Sequence, residues 1–198
     1  MKRFLLYSLL VTLLMACGNK NKQAEPVATA ETERPEWVYD AVLYEVNTRQ
    51  FTPEGTFSAF AAELPRLGEL GVDILWFMPI QPIGEKDRKG TLGSYYSISD
   101  YTAVNSEFGT LDDFRAVVDQ AHRLGMKVIL DWVANHTSRD AVWVEAHPDW
   151  YVRDSLGELN VMYDWTDIAQ LDYSKPEMRE AMIASMLFWV RETGIDGF

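Results

Sequence analysis

Residues 126–137, MKVILDWVANHT, change character halfway along. Residues 128–130 are an apolar run typical of a strand that is buried on both faces of a sheet. Asp131, Asn135 and His136 follow within six residues. Each of these polar side chains is costly to bury without a partner. The segment therefore predicts a core strand whose last residues place polar side chains where they can form hydrogen bonds.

Two other segments predict strands of the same kind. Residues 41–51, AVLYEVNTRQF, are rich in β-branched and aromatic side chains. Residues 72–79, VDILWFMP, form an apolar run that a proline ends. Residues 195–198 are predicted to begin a fourth strand.

Helical patterns separate these strands. The predicted helices cover residues 57–70, 110–124 and 176–192. Gly71 and Gly125 stop the first two, Thr110 caps the second, and Pro176 opens the third. The side chains expected to face the core are Phe57, Phe60, Leu64 and Leu67 in the first helix, Leu111, Phe114, Val117, Val118, Ala121 and Leu124 in the second, and Met178, Met182, Met186 and Trp189 in the third.

Strands that alternate with helices predict an α/β fold with a parallel sheet. A β/α barrel and a doubly wound sheet both fit this order. The residues after the first strand lack the G-x-G-x-x-G spacing of a dinucleotide-binding loop, which favours the barrel. A complete barrel takes about 250 residues, so the chain is expected to supply strands 1–4, the first half of a (β/α)8 TIM barrel.

The N-terminus has the pattern of an export signal. Lys2 and Arg3 precede an apolar run that is too short to span a bilayer. The run ends in LMAC, which resembles the bacterial lipobox and predicts acylation of Cys17, the one cysteine of the chain. A buried thiol in an uncleaved helix is the alternative. The lipobox implies a lipid-anchored protein of the bacterial cell envelope and leaves the membrane and its face open.

The remaining organisation follows from composition. Residues 1–17 are predicted to be the signal, residues 18–36 a flexible tether, and residues 37–198 the folded body.

The chain has 30 acidic and 18 basic side chains and a net charge of −12, which argues against a nucleic-acid partner. A neutral small-molecule ligand fits this charge better.

The polar groups after the third strand have three possible roles. In a β/α barrel the active site lies at the carboxyl ends of the strands, which is where Asp131, Asn135 and His136 fall. Alternatively, Asp131 and Asn135 cap a turn and His136 is a core histidine. A metal site formed by Asp131, His136 and His147 is the third possibility, although its spacing matches no compact ligand motif.

The sequence DWVANH, residues 131–136, resembles the first signature of the alpha-amylase family of glycoside hydrolases, Asp-x-x-x-Asn-His. Other segments resemble family motifs in the same order, namely GVDILWFMP at 71–79, GSYYSISDYTAVNSEFGTLDDF at 93–114, DIAQLDYSKPEMR at 167–179 and GIDGF at 194–198. Together these matches span nearly all of the predicted folded body.

The resemblance implies roles for three residues. Asp131 would shape the floor of the subsite that holds the sugar to be cleaved, His136 would hydrogen-bond a hydroxyl of that sugar, and Tyr96 would stack on its ring. Stacking is chemically reasonable because the C–H face of glucose is apolar. An ordinary rim aromatic is the alternative for Tyr96. Trp76 and Trp132 lie within predicted strands and are expected in the core.

The resemblance also implies a calcium ligand at Asn135. The second ligand position of the family holds Gln170 here, which has no charge, so calcium is an open question. Residues 137–174 are too long for an ordinary connection and correspond to the family's domain B, which walls the cleft. Trp143, Trp150 and Trp165 of this segment are expected either in the cleft or in a small loop core.

The implied activity is that of a retaining glycoside hydrolase acting on α-glucans. Such enzymes use two carboxyl groups about 5 Å apart. In the family the nucleophile lies a few residues beyond the GIDGF-like motif and the acid on a later strand, so residues 1–198 are expected to be an N-terminal fragment that is inactive alone. A surface sugar-binding lipoprotein without catalysis is the alternative.

Overall fold

The computed structural model describes residues 34–198, and at its centre lies a three-stranded parallel sheet. The strands β1 (Leu43–Val46), β2 (Ile74–Phe77) and β3 (Lys127–Leu130) lie in that order across the sheet. The predicted signal with Cys17, and the tether before residue 34, lie outside the described residues. Each predicted strand is shorter than its apolar run. The first ends early because α1 (Thr48–Phe51) begins directly after Asn47.

Two helices follow the predicted pattern closely. In α2 (Phe57–Leu70) the Thr56 hydroxyl accepts a hydrogen bond from the Ala59 N–H, and Gly71 ends the helix with a φ of 87°, which favours glycine. In α3 (Leu111–Arg123) Thr110 and Asp113 cap each other's backbone N–H groups in a capping box. These local signals set the bounds of both helices before any packing is considered.

One face of the sheet forms the main core with these helices. Phe60 and Phe114 both pack edge-on against Phe77 of β2, with ring centroids 5.2 and 5.4 Å apart respectively. The predicted core residues of α2 are all buried. Leu124 is an exception among the expected core residues, because α3 ends at Arg123 and the leucine is 42% exposed.

The third predicted helix follows the long segment after β3. After α4 (Val142–Ala146) comes α5 (Pro176–Thr193), which opens with the predicted proline and ends at Gly194. Met178, Met182 and Trp189 are buried as expected, whereas Met186 is only half-buried and Ser185 is buried in its place. The helix therefore turns a slightly different face to the core than the methionine spacing predicts.

The other face of the sheet is open. Leu43, Trp76 and Ile129 project on this face, and with Phe198 they border a cavity of about 340 Å³. Trp76 and Trp132, both expected in the core, are only half-buried. Trp132 nevertheless packs against the core, and its indole N–H points to the Met182 sulfur at 3.2 Å.

The predicted fourth strand is not formed as a strand. Residues 195–198 make a single parallel bridge, in which Gly197 lies opposite Ile129 of β3. The Asp196 N–H donates to Val128 O and the Leu130 N–H to Gly197 O, and one bridge is too little pairing to define a strand. The direction and position of this pairing agree with the prediction, but its extent does not.

Residues 137–174 form a small substructure beside the sheet. Its strands β4 (His136–Ser138) and β5 (Ile168–Gln170) are antiparallel, with α4 and a 3₁₀ turn at Pro148–Trp150 between them. A second apolar cluster fills the space between this substructure and α5. Across residues 34–198, none of the helices has both the length and the apolarity to cross a bilayer.

Candidate functional site

The loop after β3 is held by bonds to its main chain. The Tyr101 hydroxyl lies 2.6 Å from Val133 O and 2.9 Å from His136 O. The Tyr173 hydroxyl donates to Ala134 O at 2.6 Å, and the Leu171 N–H to Asn135 O at 3.2 Å. Side-chain hydroxyls thus satisfy loop carbonyls that no regular element would pair. The loop consequently presents its side chains in one arrangement.

Tyr96 and Asp131 are in direct contact. The Tyr96 hydroxyl donates to Asp131 Oδ2 at 3.0 Å. Burial, followed by this hydrogen bond, raises the pKa of Tyr96 to about 12. The phenol therefore stays protonated near neutral pH and keeps donating to the carboxylate, while 37% of the residue remains exposed.

The surroundings of His136 favour the neutral imidazole. Burial lowers the pKa of its imidazole, and the Tyr96 backbone and the Asp167 charge oppose that effect only in part. The Asn135 side-chain nitrogen lies 3.1 Å from His136 Nδ1, so the amide can donate to this ring nitrogen. When the amide donates in this way, the proton of the neutral ring lies on Nε2.

Tyr96 and His136 line the same cavity, which has a volume of about 370 Å³. The other lining residues are Lys89, Ser94, Trp165, Asp167 and Ile168. Asp131 instead lines the neighbouring cavity on the open face of the sheet. Tyr96 thus contacts Asp131 and shares a cavity with His136, whereas Asp131 and His136 line different cavities; the region around these three residues is called the mouth below.

Comparison with known proteins gives a family match over more than half of the chain. The family model described as "Alpha amylase, catalytic domain" matches residues 23–155 of the chain. The chain belongs to the alpha-amylase family. The match includes the residues that form the mouth, Tyr96, Asp131 and His136, and begins within the predicted tether. The sheet and its helices are accordingly part of a (β/α)8 barrel, and the open sheet face corresponds to the barrel interior.

Individual relatives are longer than this chain. A trehalose synthase from Pimelobacter sp. (strain R48) is 32% identical over 86% of this chain and 35% of its own length. An α-amylase structure from Lactobacillus plantarum is 46% identical, with a TM-score of 0.77, over 79% of this chain and 37% of that one. A noncanonic maltogenic α-amylase from Thermotoga neapolitana is 40% identical, with a TM-score of 0.75, over 80% and 38% respectively. The chain spans about a third of the length of these relatives.

The surroundings of Asn135 offer few of the charged ligands that the calcium site implied by the alpha-amylase resemblance would use. The Asn135 amide faces His136, and Gln170 Oε1 already accepts a hydrogen bond from Asn160 Nδ2 at 3.1 Å. Ca²⁺ depends on several oxygen ligands, usually with carboxylates among them. No group of three or more His, Cys, Asp or Glu side chains suited to a metal occurs within residues 34–198.

The three tryptophans of residues 137–174 divide between the two predicted roles. Trp143 and Trp150 pack against each other at 5.3 Å within the second apolar cluster. Trp165 instead lines the cavity, with its ring centroid 6.2 Å from that of His136. His147, the third member of the possible metal site, stacks on Trp150 at 3.8 Å.

Sequence reasoning missed several residues of the mouth. Tyr101 and Tyr173 hold the loop from distant segments, and no local pattern distinguishes them from other aromatics. Lys89 and Asp167 line the cavity together although 78 positions separate them (167 − 89). For Lys89 the available signal was the glycine-rich stretch GEKDRKGTLG, residues 84–93, since such a stretch predicts a shaped loop.

Proposed function

We propose that the protein acts on α-glucans or maltooligosaccharides as a retaining glycoside hydrolase of the alpha-amylase family. The observation that carries the proposal is the contact between Tyr96 and Asp131 beside the cavity that Tyr96 shares with His136. An aromatic ring, a carboxylate and a neutral imidazole at one mouth suit a glucose ring, which offers an apolar face and a rim of hydroxyls. The named relatives, a trehalose synthase and two α-amylases, support this substrate class.

The proposed roles follow from the chemistry of each group. Tyr96 packs its ring against the sugar while its hydroxyl stays bonded to Asp131. The second oxygen of Asp131 accepts from a sugar hydroxyl, and His136 Nε2 donates to another. Such bonds accelerate the reaction to the extent that they strengthen in the transition state. By the resemblance, the two carboxyl groups that break the glycosidic bond are proposed to follow the GIDGF-like motif, the nucleophile a few residues after it and the acid on a later strand.

A substitution at His136 tests the proposal. In the full-length protein, His136→Ala should lower kcat/KM for maltooligosaccharides by roughly tenfold or more, because a lost transition-state hydrogen bond of about 1.4 kcal/mol corresponds to a factor of ten. His147→Ala is the matched control, because His147 stacks on Trp150 and does not line the cavity. An unchanged kcat/KM in His136→Ala would refute the assignment.

The polypeptide 1–198 provides a second test. It should release no reducing sugar from maltooligosaccharides, whereas the full-length protein should. Activity in the short polypeptide would mean that the reacting carboxylates lie within it. Sugar binding by the full-length protein without turnover would favour the alternative, a surface sugar-binding lipoprotein.

Membrane attachment through an acylated Cys17 is part of the proposal. It is supported by the charged start, the short apolar run and the lipobox-like LMAC. Cells grown with labelled palmitate should incorporate the label into the wild-type protein and not into Cys17→Ser. Equal labelling, or equal recovery in the membrane fraction, would contradict the anchor.

A further inference from the structure

Tyr95 and Tyr96 are adjacent in the chain, yet their hydroxyls bond different loops. The Tyr96 hydroxyl donates to Asp131, directly after β3. The Tyr95 hydroxyl donates to Asn47 Oδ1 at 3.0 Å, directly after β1, and its half-buried ring packs against the main core. This pair of residues therefore connects the carboxyl ends of two strands that are not neighbours in the sheet.

The side chain of Asn47 bonds Tyr95 instead of its own helix. Asn47 occupies the N-cap position of α1 but makes no side-chain capping bond. Asparagine is among the preferred N-cap residues because its side-chain oxygen accepts from a backbone N–H of the first turn. Here that oxygen accepts from a hydroxyl 48 positions away. The interaction that a local pattern would predict is replaced by one that fixes the Tyr95 ring.

Arg49 holds the same ring from its face. The guanidinium carbon lies 4.6 Å from the ring centroid of Tyr95 and 5.8 Å from that of Phe108. Arg49 Nη2 pairs with Glu107 Oε2 at 3.0 Å, and the arginine side chain is only 16% exposed. A cation over an aromatic face is attractive, and more so where little water reaches it. The ion pair fixes the guanidinium, and the guanidinium in turn restricts the Tyr95 ring.

The backbone around the two tyrosines has little freedom. Ser94 Oγ accepts from the Tyr96 N–H at 3.2 Å, and Ser94 O accepts from the Ser97 N–H at 3.0 Å. Gly93 has a φ of 72°, a conformation that favours glycine. Because this turn is constrained, the position of the Tyr95 ring determines where the Tyr96 side chain starts.

We infer that Asn47, Arg49 and Tyr95 are positioning residues. Together they direct the Tyr96 hydroxyl to Asp131. None of the three lines the cavity at Tyr96, so their effect on a ligand passes through Tyr96. The placement of Tyr96 is independent of any ligand, whereas its consequence for turnover rests on the proposed function. The inference thus extends the candidate site to the loop after β1.

Nuclear magnetic resonance of the full-length protein tests the placement without a sugar. Tyrosine labelled with ¹³C at Cζ reports the hydrogen bond of each hydroxyl at neutral pH, and Tyr96→Phe identifies the Tyr96 resonance by its loss. Tyr95→Phe keeps the ring and should shift that resonance, because the Tyr96 hydroxyl loses its fixed distance to the carboxylate. Tyr44→Phe is the matched control, at a half-buried tyrosine that packs on Phe51. An unmoved Tyr96 resonance in Tyr95→Phe would overturn the inference.

Turnover of maltooligosaccharides tests the consequence. Tyr95→Phe should lower kcat/KM roughly three- to tenfold, as expected for one hydrogen bond. In a Tyr96→Phe background the same substitution should add little, because its effect passes through the Tyr96 hydroxyl. Asn47→Ala should resemble Tyr95→Phe, whereas Asn47→Asp retains an acceptor and should stay near the wild type. Arg49→Met should cost roughly two- to fivefold, as expected for one cation–π contact.

The possible outcomes separate the two proposals. An equal loss of kcat/KM from Tyr95→Phe in both backgrounds would show that Tyr95 does not act through Tyr96, and would overturn the inference. A shifted Tyr96 resonance with unchanged kcat/KM would support the positioning and contradict the role that the proposed function gives to Tyr96. Melting curves verify that each variant is folded, and a variant that fails this test is replaced by Asn47→Ala, which removes the same bond from its other end.

Discussion

The core under the sheet and the mouth at its carboxyl end are both rich in aromatic residues, yet they are held in different ways. In the core, Phe60, Phe77 and Phe114 pack against one another and other apolar side chains and need no defined partner atoms. At the mouth, Tyr101 and Tyr173 use their hydroxyls to fix main-chain carbonyls of the loop after β3. Apolar burial builds the scaffold, whereas directed hydrogen bonds set the orientation of the groups that would touch a ligand.

The largest effect is expected where the core is truncated. Phe114→Ala should lower the free energy of unfolding by about 3–5 kcal/mol, because a fully buried phenyl ring leaves a cavity among its aromatic neighbours. Urea titration measures the change. Leu70→Ala is the control, since Leu70 is 66% exposed and its loss should stay within about 0.5 kcal/mol. Equal costs at both sites would contradict the account of the core.

A smaller effect on stability, but a specific one on binding, is expected at the mouth. Tyr101→Phe keeps the ring and removes the hydroxyl that lies 2.6 Å from Val133 O, which should cost about 1–3 kcal/mol. Sugar affinity should also fall, because the loop loses one of its fixed points. Tyr39→Phe is the matched control at a residue that is 63% exposed. Loss of stability without loss of affinity would show that the loop does not need this bond to hold His136.

Asp196, Lys127 and His122 form a cluster of ionisable side chains whose contribution to stability, unlike that of the apolar core, depends on pH. Burial raises the pKa of Asp196, but bonds from the Val128 N–H, Lys127 and His122 outweigh burial, so the pKa is lowered overall. A carboxyl whose pKa is lowered in the folded state stabilises the fold above its unfolded pKa of about 3.9, and that contribution is lost as pH falls through the folded value. The stability lost in Asp196→Asn should therefore be largest near neutral pH and shrink below roughly pH 4. A pH-independent difference would contradict this role.

The smallest effect is expected on removal of calcium. Because the Gln170 amide is bonded to Asn160 and no carboxylate cluster lies nearby among the described residues, a chelator should leave the melting temperature unchanged. Thermal melts with EDTA and with added CaCl₂ measure this. Gln170→Asp supplies the missing charge and is the informative comparison. A drop in the wild-type melting temperature on chelation, restored by CaCl₂, would contradict this prediction and show that calcium stabilises the fold.

Much of the scaffold could be predicted because its signals are local. The cap at Thr110, the glycine stop at Gly71 and the apolar spacing of α2 are each contained within a few residues. The extent of pairing was less predictable. The fourth strand is reduced to one bridge, and Ser185 rather than Met186 is buried in α5. Both outcomes depend on packing against residues from elsewhere in the chain.

The candidate site divides in the same way. The signature after β3 supplied Asp131 and His136, and the resemblance supplied Tyr96. No sequence pattern could indicate that Tyr96 would bond Asp131, because 35 positions separate them. The same holds for Lys89 and Asp167, which share a cavity only through the folding of two loops.

By itself, the sequence determined the kind of fold, the order of its strands and helices, and the residues of the signature, since periodicity and capping act between near neighbours. Tertiary structure alone decided which tyrosines would clamp the loop, that Trp165 would face the cavity while Trp143 and Trp150 would not, and that a lysine would stand near a buried aspartate. These outcomes depend on distances between segments far apart in the chain, and such distances exist only once the apolar core has brought the segments together.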